Sequence, residues 1–102
     1  MKPTSSYDDM IMRRISTDRD FAVALLKSSL GALFEGDFHY ALKSLHSLVK
    51  AGMGFAALSE AVGISSQNLH RALSERGNPT IKTLNRIVAA IATSLDVKLA
   101  AA

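Results

Sequence analysis

Polar side chains that could bind the edges of nucleic-acid bases are concentrated between Ser66 and Arg71. Gln67 and Asn68 carry amide groups, which can bind adenine through two hydrogen bonds, and the guanidinium of Arg71 can bind guanine in the same way. Apolar residues in and after this stretch indicate which side of a helix the polar residues share, because Leu69, Ala72 and Leu73 would face inward. The stretch predicts a helix whose outward side presents Ser66, Gln67, Asn68 and Arg71 as base-contacting residues.

A helix-turn-helix is the element that would position such a helix, and the sequence predicts one from about residue 54 to residue 74. Leu58 and Val62 anchor a short first helix, and Gly63 suits the turn because glycine takes positive φ without steric cost. Ile64 and Leu69 then anchor the second helix. Backbone N–H groups at the start of the first helix and nearby basic groups would contact phosphates. The candidate phosphate or additional DNA contacts are Lys50, Gly54, Phe55, His70, Arg76 and Lys82.

Other kinds of site have little support in the sequence. The chain has no cysteine, and no nucleophile with a base, carboxylate pair or phosphate-binding loop is recognisable. His39, His46 and His70 have no further ligands at convincing spacing, so a metal site is not expected. We therefore expect neither an enzyme nor a cofactor. The plain alternative for the polar residues of the Ser66–Arg71 stretch is an ordinary solvated helix face.

The apolar spacing predicts an all-α fold of five helices with the helix-turn-helix at its centre. The stripe from Phe21 to Phe34 predicts a helix over residues 18–35 with Thr17 as its cap, and Gly36 suits the left-handed residue after it. Further helices are predicted over residues 38–51, 55–62 and 65–74, and from residue 81 after the cap Thr80. The alternating tail at residues 96–100 predicts a short strand. Residues 1–17 are expected to form a poorly ordered arm, and residues 18–102 a single domain.

The charge distribution favours a polyanionic partner. The chain of 102 residues has a net charge of +3, with five basic and five acidic residues in positions 1–36 and seven basic but four acidic residues thereafter. No apolar segment resembles a signal peptide or a membrane span, so a cytoplasmic protein without a membrane partner is expected.

The stretch from Gly63 to Leu73, followed by Gly77-Asn78-Pro79-Thr80, resembles the addiction-module antidote family. These are HigA-like antitoxins with a helix-turn-helix of the Cro and lambda-repressor type. The resemblance extends back through Gly36-Asp37 and covers about residues 18–100. One departure is Gly54-Phe55, which stands where related repressors often carry Ser or Thr followed by Gln.

The resemblance implies a homodimeric antitoxin that binds double-stranded operator DNA, represses its own operon and neutralises a RelE-type toxin. Within that family the base-contacting positions fall on Ser66, Gln67, Asn68 and Arg71. The exposed margin of the Phe21–Phe34 stripe could serve a dimer mate or a toxin. Two alternatives stay open: a phage or chromosomal Cro-like regulator without a toxin, and a protein-interaction module that retains the helix-turn-helix shape.

Overall fold

The computed structural model describes residues 6–97, and these form an all-helical fold. The predicted all-α class is confirmed, but the described residues contain six helices instead of five. The helices are α1 (Ser6–Thr17), α2 (Arg19–Glu35), α3 (Phe38–Ala51), α4 (Phe55–Val62), α5 (Ser66–Ala72) and α6 (Ile81–Ser94).

The additional helix is α1, so the prediction of a poorly ordered arm is wrong for Ser6–Thr17. Ile15 is buried, and the Arg14 guanidinium lies 4.5 Å from the centre of the Phe21 ring on α2. The Nζ of Lys43 on α3 lies 3.9 Å from a carboxylate oxygen of Asp8. These contacts dock α1 on α2 and α3, and packing of this kind supplies most of the stability of a short helix.

Side-chain caps begin most of the helices. In α2, α3, α5 and α6 an oxygen of the capping side chain accepts a hydrogen bond from the backbone N–H three residues later, which satisfies one otherwise unpaired donor. The prediction of Thr17 as the cap of α2 is wrong, because its hydroxyl donates to the Arg13 carbonyl. The four capping residues are Asp18, Asp37, Ser65 and the predicted Thr80.

One continuous hydrophobic core receives side chains from all six helices. The inward side of α2 is formed largely by small residues, and Ala22, Ser29 and Ala32 are buried there together with Leu26. Small side chains allow two helix backbones to approach closely. This narrow buried face leaves other apolar residues of α2 toward solvent.

Three large apolar residues near the helix ends are exposed. Phe34 is 91% exposed and Phe38 is 59% exposed, on either side of the α2–α3 turn. Ile81 is 86% exposed because it lies at the first position of α6, ahead of its buried side. Phe34 ends the stripe from which α2 was predicted, so that stripe is wider than the buried side of the helix.

The predicted C-terminal strand is not seen in the described part of the tail. Asp96 has a φ of 56° and belongs to a turn, and Val97 follows it outside any strand. Residues 98–100 of the predicted strand lie outside the described residues. The turn is held from α2, where the Arg19 guanidinium donates to the backbone carbonyls of Leu95 and Asp96.

Two glycines control the entry to α5 and the exit from it. Gly63 ends α4 in the left-handed region with a φ of 73°, as the sequence predicted. Gly77 follows α5, and a Cβ at this position would lie 2.8 Å from the Arg71 carbonyl oxygen and closer still to that of Ala72. Glycine is therefore required at position 77 because there is no room for a Cβ, and not because of a positive φ. The close approach lets the chain return directly from α5 to α6.

We expect Gly77→Ala to destabilise the protein by about 1–3 kcal/mol, since the added methyl group meets backbone carbonyls that cannot rotate away. Gly31→Ala is the matched control. Gly31 lies within α2 with no atom near its missing Cβ, so alanine there should stabilise the protein by roughly 0.5–1 kcal/mol. Urea unfolding of both variants measures the difference. Equal free energies of unfolding for the two variants would contradict the packing described for Gly77.

Candidate nucleic-acid interface

The rotation of α5 about its axis is fixed by two leucines. Leu69 and Leu73 are 0% and 1% exposed in the core, as the sequence predicted, whereas Ala72 is half-buried. Because residues on the opposite side of the helix must then face solvent, Gln67 and Arg71 are exposed. The polar face of α5 is therefore a consequence of core packing.

Three of the four predicted base-contacting residues lie together on the exposed side of α5. Asn68 and Arg71 are one helical turn apart, and the Arg71 guanidinium donates to the Asn68 side-chain oxygen over 3.5 Å. Gln67 lies four residues before Arg71, which places it on the same face. An amide pair beside a guanidinium forms a surface of hydrogen-bond donors and acceptors that could match the edges of neighbouring base pairs.

The fourth predicted residue, Ser66, faces a different direction. Its hydroxyl donates to the Phe55 carbonyl over 3.4 Å and is partly buried in the seam between α4 and α5. The structure therefore separates Ser66 from the group formed by Gln67, Asn68 and Arg71. The reason is that Ser66 and His70, four residues apart, form the side of α5 that packs toward α4.

Three rings meet where α3, α4 and α5 come together. His70 stacks on Phe55 with ring centres 3.7 Å apart and planes inclined by 21°. His46 of α3 packs against both, with its ring centre 5.1 Å from that of Phe55 and 5.5 Å from that of His70. We call these three residues the ring cluster. Phe55 thus takes part in packing, although it stands at a position where a polar side chain was expected from the resemblance.

The electrostatic surroundings of His46 disfavour its charged form. Burial lowers the pKa of His46 below its usual value, and the neighbouring His70 and Lys50 lower the pKa further. The ring cluster was not predicted from the sequence, because His46, Phe55 and His70 belong to three different helices. The sequence feature that could have indicated the burial of His46 is its position between Leu45 and Leu48–Val49, which are buried on α3.

Some basic side chains bind backbone carbonyls within the fold, whereas others near α5 do not. Arg86 of α6 donates to the Val62 carbonyl at the end of α4, and Arg19 binds the carbonyls after α6. In contrast, Lys50, Arg76 and Lys82 are exposed, and no ion pair involves them within residues 6–97. These three side chains therefore remain available for an anionic partner.

The start of α4 also has unpaired donors. Gly54 precedes α4 with a φ of 89°, and no side chain caps the helix. The first backbone N–H groups of an uncapped helix have no acceptor within the helix. Of the two residues predicted to contact phosphate here, Phe55 has a free N–H, whereas the N–H of Gly54 donates to the Val49 carbonyl over 2.7 Å.

A groove of about 670 Å³ runs beside the ring cluster between α1, α3 and the segment after α5. His46 and Lys50 line it from α3, and Asp9 lines it from α1. Across the groove, His39 lies 3.8 Å from a carboxylate oxygen of Glu75. The groove therefore has charges of both signs, while the surface of α5 beyond it lacks acidic residues.

No cluster of histidine, cysteine and carboxylate side chains within the described residues could hold a metal ion. None of the described helices has both the length and the apolar character needed to cross a bilayer. Comparisons with family models, characterised proteins and solved structures find no match to this chain.

The lowered pKa of His46 predicts a pH-dependent stability. A base whose folded-state pKa lies below its unfolded-state value favours folding most strongly when both states are neutral. The contribution of His46 is thus fully present above the usual histidine value of 6.5. It declines as the pH falls through that value toward the folded-state pKa, because the unfolded chain binds the proton first.

We expect His46→Phe, which keeps a ring in the cluster, to lose less stability than the wild type between about pH 8 and about pH 5.5. Denaturant unfolding at both pH values measures this difference. His39→Phe is the control, because His39 is exposed and lies outside the ring cluster. If His46→Phe and the wild type lose equal stability over this range, the burial of His46 has no energetic consequence.

Proposed function

We propose that this protein binds double-stranded DNA with sequence specificity, using α4 and α5 as a helix-turn-helix. The observation that carries the proposal is the exposed group of Gln67, Asn68 and Arg71 on a helix whose opposite side is locked into the core by Leu69 and Leu73. A three-residue turn with a left-handed Gly63 joins the two helices, as this motif requires. In the motif, the second helix enters the major groove.

Base recognition follows from the side chains of α5. Gln67 and Asn68 have the amide groups that bind adenine, and Arg71 has the two parallel donors that bind guanine. The side chains of Asn68 and Arg71 already touch, so the helix presents them together. Each bidentate contact would contribute about 1–3 kcal/mol of discrimination between bases.

Phosphate contacts would come from around this helix. Lys50, Arg76 and Lys82 are exposed and free of ion pairs among residues 6–97, and the backbone N–H of Phe55 offers a donor at the start of α4. Such contacts fix the register of a protein on DNA without reading sequence. They would also make the affinity depend strongly on salt.

We further propose that the protein is an antitoxin that represses its own operon and neutralises a RelE-type toxin. The resemblance of residues 63–80 to addiction-module antidotes supports this role. The exposed Phe34, Phe38 and Tyr40 near the α2–α3 turn give the protein an apolar surface for a protein partner. A homodimer would place two recognition helices roughly 34 Å apart, one turn of DNA.

The same aromatic residues support a second candidate function. A protein-interaction module that only retains the helix-turn-helix shape would also expose an apolar surface. Its residual binding to DNA would be weak, with little preference for sequence and a shallow dependence on salt. Salt dependence and sequence preference therefore distinguish the two functions.

The test is a titration of the protein into labelled duplex from immediately upstream of its gene, with a scrambled duplex for comparison. We expect tight binding to the first duplex, with log affinity falling by about 0.9 per phosphate contact for each unit of log salt concentration. Arg71→Ala should weaken this binding by about 1–3 kcal/mol and relax the preference at one base pair while the fold stays intact. Arg13→Ala removes the same charge from the exposed side of α1 and should leave the sequence preference unchanged.

Two results would count against DNA recognition by α5. One is equal, weak binding to both duplexes, which would favour the interaction module. The other is an Arg71→Ala variant that keeps the full sequence preference, which would mean that bases are read elsewhere.

A further inference from the structure

The ring cluster connects the proposed base-reading helix to a titratable group inside the protein. His70 belongs to α5 and is exposed, whereas His46 belongs to α3 and is half-buried behind it. Phe55 stacks on one face of the His70 imidazole at 3.7 Å. The stack limits the rotation of His70, so its ring has a defined position beside the exposed face of α5.

The two histidines are too close to be protonated independently. Their ring centres are 5.5 Å apart, and Lys50 adds a positive charge beside His46. A charge on one imidazole therefore disfavours a charge on the other. Burial lowers the pKa of His46, whereas His70 is the exposed member of the pair. The face of Phe55 also favours a cation at His70, since the ring carries negative potential on its faces.

Charged groups of the neighbouring elements also face this pair. Lys43 and Lys50 of α3, Asp8 and Asp9 of α1, and Glu75 after α5 line the groove that His46 borders. Asp8 lies near Lys43, and Glu75 lies near His39, so acidic and basic groups within the groove partly offset each other. The cluster thus has cations on its α3 side, and His70 is not among the residues that line the groove.

We propose that His70 is a pH-dependent DNA contact, which becomes a cation and binds a phosphate oxygen when the protein engages DNA. The inference rests on the proposed DNA-binding function and deepens it. His46 and Phe55 act as positioning residues, because Phe55 orients the imidazole and the half-buried His46 stays neutral. DNA phosphates do not titrate between about pH 5.5 and pH 8, so the charge change belongs to the protein, where histidine is the side chain that titrates in this range.

Proton linkage gives the expected sign. If the complex holds a protonated His70 and the free protein at high pH does not, DNA binding takes up a proton. Affinity then rises as the pH falls. The number of phosphate contacts also rises by one, so the plot of log affinity against log salt should be steeper by about 0.9 at low pH than at high pH.

The experiment measures binding of the full-length protein to the upstream duplex and to the scrambled duplex at about pH 5.5 and about pH 8 over a range of KCl concentrations. Circular dichroism at both pH values establishes that each protein is folded. We expect the wild type to show the steeper salt dependence at low pH. His70→Gln should bind with the same slope at both pH values, and that slope should match the wild-type slope at high pH. His39→Gln, which alters a histidine outside the ring cluster, should keep the wild-type difference.

A second variant keeps the proposal testable if His70→Gln disturbs the packing of α5. His46→Phe removes the other imidazole of the cluster and keeps a ring beside His70. We expect the pH dependence of binding to persist in this variant, because the half-buried His46 is neutral in the wild type. Loss of the pH dependence in His46→Phe, together with its retention in His70→Gln, would reverse the assigned roles and overturn the proposal.

Different experimental results would overturn this inference and the proposed function. Sequence-selective binding with equal salt slopes at both pH values would overturn the role of His70 and leave DNA recognition standing. Absence of sequence-selective binding at either pH would overturn both.

Discussion

The burial of Leu69 and Leu73 is the constraint on which the candidate interface depends. A helix of seven residues has too few internal hydrogen bonds to persist by itself in water, so α5 exists because these leucines occupy the core. Their burial also sets the rotation of the helix, and with it the direction of every polar side chain on α5. The stability of the fold and the orientation of the proposed DNA-reading face therefore arise from the same two side chains.

The elements around α5 limit its freedom at both ends. Ser65 caps its first turn, while Gly77 allows the following chain to lie against the carbonyls of its last turn. On the opposite side of the turn, Arg86 binds the Val62 carbonyl at the end of α4. Each of these contacts involves a backbone group of α4 or α5. A recognition helix held in this way would lose little conformational entropy on binding.

Positive charge has two separate roles in this small protein. Arg14, Arg19 and Arg86 bind an aromatic ring or backbone carbonyls and serve the fold, whereas Lys50, Arg76 and Lys82 remain at the surface. Net charge alone consequently overstates the charge available to a polyanion. The two histidines of the ring cluster add a positive charge only when one of them is protonated. Both rings contact the ring of Phe55, and the two side chains differ in burial.

The sequence by itself determined the features that depend on local chemistry. The bounds of α3 and α4, the cap Thr80, the left-handed Gly36 and Gly63, and the inward direction of Leu69 follow from helical periodicity and from the special properties of capping and glycine residues. These features involve residues only a few positions apart, so a single chain segment contains the information. The same local argument brought Gln67, Asn68 and Arg71 to one face.

Tertiary structure decided whatever depends on contact between distant segments. The helix α1 was missed because its sequence is polar on average, and because its stability comes from docking Ile15 and Arg14 against distant segments of the chain. Phe34 was assigned to the core because the stripe of α2 is broad, but the buried face is set by the close approach of α3 to small residues. Ser66 turned toward Phe55, and His46 met His70, because α3, α4 and α5 converge at one point. Spacing along a sequence gives the direction of a side chain on its own helix, but not the neighbour that the fold will place in front of it.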